Sequence, residues 1–123
     1  MATESMINQN NMKPRKNAHI GIDLVAVRRF KKIKKTDYGA WNRVFSEQEW
    51  DYAFHDTHSA EHLAGMFAAK EAAMKASGKA GIENLKMFEI THTAECAPRL
   101  NKRGYCVSIS HDHAYAIAVV LVG

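Results

Sequence analysis

The sequence predicts a single α+β domain in which an antiparallel sheet packs against one long helix. Three observations predict it: a β-prone segment near residue 20, three helical segments after it, and a return to β character in the last third. The order of strand, helices and then a β-meander favours α+β over a regular βαβ alternation. A chain of 123 residues can bury roughly two-thirds of its unfolded surface around one core.

The N-terminal part contains a tail and then the first strand. Residues 1–17 are polar and lack the apolar stretch of a signal peptide, so we expect a flexible tail before one domain of residues 18–123. The strand lies in HIGIDLV, residues 19–25, where Gly21 allows close packing and Asp23 stands near the end.

The next segment, AVRRFKKIKK, is predicted to be an amphipathic helix with a strongly basic outer face. Val27, Phe30 and Ile33 recur at helical spacing. The basic residues are Arg28, Arg29, Lys31, Lys32, Lys34 and Lys35. With a net charge of +4, this face favours an acidic partner or an anionic small molecule. A solvated face without a partner is the alternative, and no interleaved aromatic residues or known motif supports nucleic acid.

Two further helices have clear boundaries. Ser46 and Glu49 form a capping box at the start of the first helix. The positions of a hydrophobic staple are filled by Phe45 and Trp50. A longer helix begins near Ser59 and ends at Gly78 and Gly81. Its apolar stripe consists of Leu63, Phe67 and Met74.

The remaining chain has β character. LKMFEITHT, residues 85–93, and YCVSISH, residues 105–111, are predicted strands, and the second alternates apolar with polar residues. HDHA, residues 111–114, is a tight connection, although it lacks the glycine of a strong hairpin signal. AYAIAVVLV, residues 114–122, is apolar on both faces and is predicted to be a strand covered on both sides.

Composition argues against a membrane protein and against a disulfide scaffold. The longest apolar run, residues 114–122, is far shorter than the roughly 20 residues that cross a membrane. Cys96 and Cys106 do not have metal-knuckle spacing and are too few for a disulfide framework. We therefore expect a cytoplasmic protein without membrane association.

The long helix carries charged residues inside an apolar frame, FAAKEAAMKASG, residues 67–78. Glu71 and Lys75 are four residues apart, in the order that favours a surface ion pair of about 0.2–0.5 kcal/mol. Lys70, however, falls on the apolar stripe. Small neighbours on this face would let a backbone or a ligand approach: Ala64, Ala68 and Ala72.

A carboxylate beside lysines on a packed helix also suits a phosphate site. Mg²⁺ prefers one or two carboxylates together with phosphate oxygens and water, and lysine ammonium groups neutralise further phosphate oxygens. Asp23, near the end of the first strand, is the natural second carboxylate. It could instead stabilise the dipole of the helix that follows it. Composition leaves these alternatives open.

Four segments resemble, in order, the motifs of the holo-[acyl-carrier-protein] synthase type of 4′-phosphopantetheinyl transferase. They are GIDLVAVRRF, RVFSEQE, HLAGMFAAKEAAMKASG and VSISHDHAYAIAVV, within His19 to Val122. The F-A-A-K-E-A-x-x-K-A pattern is the most specific. The resemblance implies that family's small α+β fold and a homotrimer with active sites between subunits.

The resemblance also implies a reaction. Phosphopantetheine would pass from coenzyme A to a serine of an acidic apo acyl carrier protein, with Mg²⁺, releasing adenosine 3′,5′-bisphosphate. Asp23 and Glu71 would bind the metal and Lys75 the phosphate oxygens, and these three are the expected catalytic residues. Either Glu71 or a metal-held water would accept the serine proton.

The resemblance assigns two further groups of residues. Contacts to coenzyme A are expected from Gly65, Lys70, Lys75, Ser110 and His111. Docking of the carrier protein is expected at Arg28, Arg29 and Lys32. The carrier would belong to fatty acid biosynthesis or to a specialised pathway. Without the resemblance, the simpler interpretation is that His111 lies beside a turn and binds no ligand.

Three departures from the family pattern fall around the expected nucleotide pocket. Met66 stands where the family commonly has arginine, and CAP at residues 96–98 replaces a G-K-P turn. The loop HDTHSAEH has histidines where the family has lysine or arginine, and these could substitute near or below neutral pH. His58 and His62 also have i,i+4 metal-ligand spacing, without further ligands in the pattern. A second hypothesis is therefore a non-catalytic relative that binds carrier protein.

Overall fold

The computed structural model describes residues 19–78 and 82–123, so the predicted tail (residues 1–17) and Gly81 lie outside the described residues. The strands and helices, in chain order, are β1 (His19–Ala26), α1 (Tyr38–Trp41), α2 (Glu47–Ala53), α3 (Ser59–Ser77), β2 (Ile90–His92), β3 (Pro98–Leu100), β4 (Tyr105–His111) and β5 (Tyr115–Val122). The predicted α+β class is confirmed. No helix in these two ranges combines the length and apolar character needed to cross a membrane.

The main sheet is antiparallel and has the strand order β1-β5-β4, while β2 and β3 pair separately. Helix α3 packs across β1 and β5. At Gly21 the strand lies directly against the helix backbone, because a Cβ there would be 2.0 Å from the carbonyl oxygen of Ala72. The prediction that Gly21 allows close packing is therefore confirmed, and this contact fixes where the next residues of β1 meet α3.

The predicted start of α2 and the predicted end of α3 at Gly78 are confirmed. Ser46 Oγ accepts from the Glu49 amide at 3.2 Å, and the Glu49 carboxylate accepts from the Ser46 amide at 2.8 Å. The staple rings of Phe45 and Trp50 lie 5.9 Å apart. Helix α3 ends before Gly78, whose φ of 75° is the left-handed conformation that glycine adopts without strain.

The predicted amphipathic helix in AVRRFKKIKK is wrong. Val27–Phe30 form one 3₁₀ turn, in which Val27 and Phe30 are buried and the intervening arginines are exposed. Six cations within eight residues repel one another at helical spacing. The amide of Val27 instead donates to the carbonyl of Ala114 at 2.9 Å, which ties the segment to the start of β5.

Two predictions for the β region need correction. In LKMFEITHT the strand is limited to Ile90–His92, because Ile82–Met87 form 3₁₀ turns. In β5, Ala116, Ala118 and Val120 are buried, but the other face is not covered by any element of the described ranges. We call this uncovered surface the open sheet face; its large apolar residues are Ile20, Ile22, Leu24, Tyr115, Ile117 and Leu121.

The connection between β4 and β5 is stabilised by a side chain in place of glycine. Asp112 Oδ1 accepts hydrogen bonds from the amides of Ala114 at 2.8 Å and Tyr115 at 2.7 Å. These bonds lower the pKa of Asp112. An aspartate that binds the backbone two and three residues ahead closes a tight turn without needing a positive φ.

Candidate active site

Asp23, Glu71 and Lys75 come together where β1 crosses α3. Asp23 follows Gly21 by two residues and therefore shares the strand face that meets the helix. Lys75 Nζ lies 3.0 Å from Asp23 Oδ1 and donates to the carbonyl of Ile22 at 3.0 Å. Glu71 lies one turn before Lys75 on α3. The ion pair of Lys75 therefore joins two elements, unlike the surface pair within one helix that spacing alone favoured.

The electrostatics of this group favour a bound cation. Burial is the main cause that raises the pKa of Glu71, and the charge of Asp23 raises it further. Lys75 and Arg29 oppose this rise. The Lys75 side chain is 54% exposed and that of Asp23 is 17% exposed, so a ligand can reach both. Two carboxylates that repel each other at an accessible position provide oxygen ligands for a divalent ion.

Lys70 is not part of this group, and its predicted contact with coenzyme A is corrected. Its side chain is 0% exposed, and Nζ lies 2.8 Å from Glu49 Oε1. Nζ also donates to the carbonyls of Leu85 at 3.2 Å and Phe88 at 2.7 Å. Burial lowers the pKa of Lys70, and Glu49 opposes this effect. The ammonium group is enclosed in the core, with its donors satisfied inside the protein.

Glu49 is the buried residue that sequence reasoning assigned only to a helix cap. Its side chain is 0% exposed, and Oε2 accepts from the amide of Ile90 at 2.8 Å. It therefore joins the start of α2 to Lys70 and to β2. A lysine on an apolar stripe is a signal that a buried acid is needed, but the sequence gives no means of choosing which one.

The other residues predicted to contact coenzyme A lie in two places. Gly65 and His111 border a cleft between α3 and β4, which buried Met66 also lines. A Cβ at Gly65 would approach the Ile109 side chain at 3.1 Å, and His111 Nδ1 lies 3.5 Å from a carboxylate oxygen of Glu61. Ser110 points the other way, next to Leu24 and Ile117 on the open sheet face.

The basic segment borders the carboxylates. Arg28, Arg29 and Lys32 are exposed. The guanidinium of Arg29 lies 5.1 Å from the ring centroid of Phe67 and 5.8 Å from that of Phe30. Because the charge of Arg29 also lowers the pKa of Glu71, the cationic surface and the acidic pair belong to one region.

Comparison with known proteins gives a consistent set of relatives. Residues 19–120 match the family model described as the 4′-phosphopantetheinyl transferase superfamily. The holo-[acyl-carrier-protein] synthase of Thermodesulfovibrio yellowstonii is 38% identical over 108 residues, covering 84% of this chain and 96% of that protein. The corresponding protein of Caldicellulosiruptor bescii is 36% identical over 118 residues, covering 84% and 95%.

Solved structures agree with these sequence relatives. The chain is similar to the holo-(acyl-carrier-protein) synthase of Bacillus anthracis in complex with CoA (3′,5′-ADP), with a TM-score of 0.70 and 31% identity over 85% of this chain and 94% of that one. It is equally similar to the Helicobacter pylori enzyme in complex with coenzyme A, with a TM-score of 0.70 and 31% identity, covering 85% and 99%.

Proposed function

Because the chain belongs to the 4′-phosphopantetheinyl transferase superfamily, as an enzyme of the holo-[acyl-carrier-protein] synthase type, we propose that it works by a magnesium-dependent mechanism. It transfers phosphopantetheine from coenzyme A to an apo acyl carrier protein. We assign the acceptor to a serine hydroxyl and the second product to adenosine 3′,5′-bisphosphate. The observation that carries the mechanism is the meeting of Asp23, Glu71 and Lys75 at the crossing of β1 and α3.

The two carboxylates fit a magnesium ion. Burial and the charge of Asp23 raise the pKa of Glu71, and a divalent cation would relieve this repulsion. Mg²⁺ binds one or two carboxylates while phosphate oxygens and water fill its other positions. We therefore propose that Asp23 and Glu71 hold it. When bound, Mg²⁺ would neutralise the negative charge on the pyrophosphate oxygens.

The protein side chains of the site have separate roles in this proposal. Glu71 accepts the proton of the carrier serine as the general base of the reaction. The serine oxygen then bonds to the β-phosphorus, and the bond to the α-phosphate oxygen breaks with its electron pair on the bisphosphate. Lys75, positioned by Asp23, stabilises the phosphate oxygens.

We propose that coenzyme A lies along α3, with its pyrophosphate at Glu71 and its other contacts at Gly65 and His111. Gly65 and Glu71 are six residues apart on α3, which corresponds to about 9 Å along the axis at 1.5 Å per residue and is within the reach of one extended ligand. Gly65 and His111 line the same cleft beside α3, which supports their assignment to one ligand. Ser110 lies on the open sheet face, so it can contact coenzyme A only where that face meets coenzyme A bound to another copy of the chain.

The exposed cations next to the site suit an acidic carrier protein. We propose that Arg28, Arg29 and Lys32 dock it, since opposite charges steer association and orient the partners. We further propose a cytoplasmic location, which the two free cysteines fit, and a carrier of fatty acid biosynthesis.

Charge reversal of Arg29→Glu should raise the carrier protein KM about 10-fold, equivalent to about 1.4 kcal/mol of binding free energy. Because Arg29 lowers the pKa of Glu71, its loss should also move the rise of kcat to higher pH. Steady-state kinetics across pH measure both effects. Arg103→Glu, at an exposed turn position, is the matched control. An unchanged carrier KM in Arg29→Glu would remove this residue from docking.

We propose that three copies associate through the open sheet face. Leu24 is 62% exposed and Ile20 is 70% exposed on an otherwise regular sheet, and association would remove this apolar surface from water. The strand pattern of residues 114–122, apolar on both faces, supports the same arrangement.

Leu24→Lys should convert a species of three times the 13.8 kDa chain mass into single chains, because a charge on this face cannot be buried against another apolar face. Light scattering after size-exclusion chromatography measures the mass. Ala94→Lys, at an exposed loop position, should leave the mass unchanged. A parent protein that already runs as a single chain would contradict the trimer.

The overall activity is tested by incubating the protein with coenzyme A, Mg²⁺ and a panel of acidic apo carrier proteins. Intact mass spectrometry should show addition of one phosphopantetheine group, and omission of Mg²⁺ with a chelator present should prevent it. If no carrier in the panel is modified although one binds, the non-catalytic carrier-binding hypothesis replaces the enzyme mechanism.

A further inference from the structure

We propose that His55, Asp56 and His62 form a binding site for a divalent transition-metal ion, with Zn²⁺ as the preferred ion. The three side chains lie between the end of α2 and the first turns of α3, and their ligand atoms are all within 4.8 Å of one another. The site is separate from the proposed magnesium site. His62 and Glu71 are nine residues apart on α3, which corresponds to about 13 Å along the axis.

The distances around Asp56 match a tetrahedral ion. Asp56 Oδ2 lies 3.3 Å from His55 Nε2 and 3.2 Å from His62 Nε2. Zinc bonds of roughly 2.0–2.2 Å to nitrogen and oxygen place neighbouring tetrahedral ligands about 3.3–3.6 Å apart. Two edges of the coordination polyhedron are therefore present, and the third joins ligand atoms of His55 and His62 that lie within 4.8 Å of each other.

Hydrogen bonding orients the ligands as metal sites require. The His55 Nδ1 atom is bonded to the carbonyl oxygen of Tyr52. In the neutral imidazole Nδ1 then carries the proton, so Nε2 presents a lone pair towards the acceptor-only carboxylate of Asp56. Two acceptors that face each other are held together by a proton or a metal ion between them. Metal-binding histidines usually donate their second ring N–H to a carbonyl or carboxylate in this way.

Neighbouring groups hold the ligands in place. The amide of His58 donates to Asp56 Oδ1 at 2.8 Å, which helps to orient the carboxylate. The ring of Tyr52 lies 5.2 Å from that of His62 and stacks on His92 with centroids 3.7 Å apart. The site is open to solvent, since the His55 side chain is 53% exposed, so an ion can enter.

The chemistry of the ligands favours zinc over magnesium. Imidazole nitrogen suits Zn²⁺ and its transition-metal neighbours, while Mg²⁺ prefers oxygen. Three protein ligands leave a fourth position for water or an anion, as in zinc sites that stay open to ligands. The sequence spacing of His58 and His62 pointed to this region, but the structure selects His55 and Asp56 as the partners of His62.

The test uses the full chain without an affinity tag, titrated with ZnCl₂ by calorimetry in excess Mg²⁺, which occupies the carboxylates at Glu71. One Zn²⁺ per chain should bind, and His55→Ala with His62→Ala should weaken binding by more than the roughly 10–100-fold that loss of an orienting neighbour costs. A matched control, His19→Ala with His113→Ala, removes two exposed histidines elsewhere and should bind Zn²⁺ as the parent does.

Two further measurements keep the result interpretable. Asp56→Asn should also weaken Zn²⁺ binding, and circular dichroism must show that each variant remains folded. Zn²⁺ should raise the melting temperature of the parent and the control but not that of the double variant. Equal Zn²⁺ binding by the parent and the double variant would overturn the site. A second result would also overturn it: the parent binds no Zn²⁺, and the double variant binds adenosine 3′,5′-bisphosphate more weakly than the parent does. The histidines would then form a binding site for an anion.

Discussion

Replacement of Glu71 by glutamine should reduce phosphopantetheine transfer by a factor on the order of 1,000 or more and leave the fold intact. Glutamine keeps the shape of the side chain, but it can neither accept a proton nor offer an anionic oxygen to a metal ion. Because burial and Asp23 raise the pKa of Glu71, the stability linked to this group is present at acid pH and is lost as pH rises through the folded pKa. At neutral pH the variant should therefore be at least as stable as the parent.

Intact mass spectrometry of the carrier protein measures transfer, and thermal unfolding followed by circular dichroism measures stability. Glu95→Gln removes the same charge from an exposed loop position and should leave both quantities unchanged. The combination of lost activity and retained stability separates a catalytic carboxylate from a structural one. Near-normal transfer by Glu71→Gln would contradict both the metal-binding role and the general-base role.

Replacement of Lys70 by methionine should lower the free energy of unfolding by about 3–5 kcal/mol. Methionine fills a similar volume, but it leaves the Glu49 carboxylate buried without its ion-pair partner. The carbonyls of Leu85 and Phe88 lose a donor at the same time.

Urea unfolding followed by circular dichroism measures this effect. The double variant Glu49→Gln with Lys70→Met should recover part of the loss, because no buried charge remains, although one backbone bond to the Glu49 side chain is lost. Lys86→Met, at an exposed position, should change stability by less than about 0.5 kcal/mol. A change equally small in Lys70→Met would show that the buried ion pair does not stabilise the fold.

Local sequence signals predicted the fold best where one short segment contains the whole signal. The capping box of α2 is complete within Ser46 to Glu49, and the left-handed Gly78 marks the end of α3. Gly21 likewise predicted a close approach, because a missing side chain has the same consequence wherever the partner lies. The two helix boundaries were predictable because their stabilising contacts are local.

Errors arose where distant contacts decide the conformation. The spacing in AVRRFKKIKK is helical, but the hydrogen bond from Val27 to Ala114 and the repulsion among the cations limit it to one turn. The pattern of β5, apolar on both faces, did not reveal that one sheet face is open in the single chain.

The candidate site also combines features that the local sequence predicts with features that distant contacts decide. The sequence by itself determined the chemistry available on α3: two lysines and one glutamate in a rigid, apolar frame, with Asp23 upstream. Only the tertiary structure decided that Lys75 pairs with Asp23, 52 residues away, at an accessible crossing, while Lys70 is enclosed with Glu49. Sequence spacing sets which face of a helix a residue occupies, but its burial and its partners are set by the elements that pack there, and these come from distant parts of the chain.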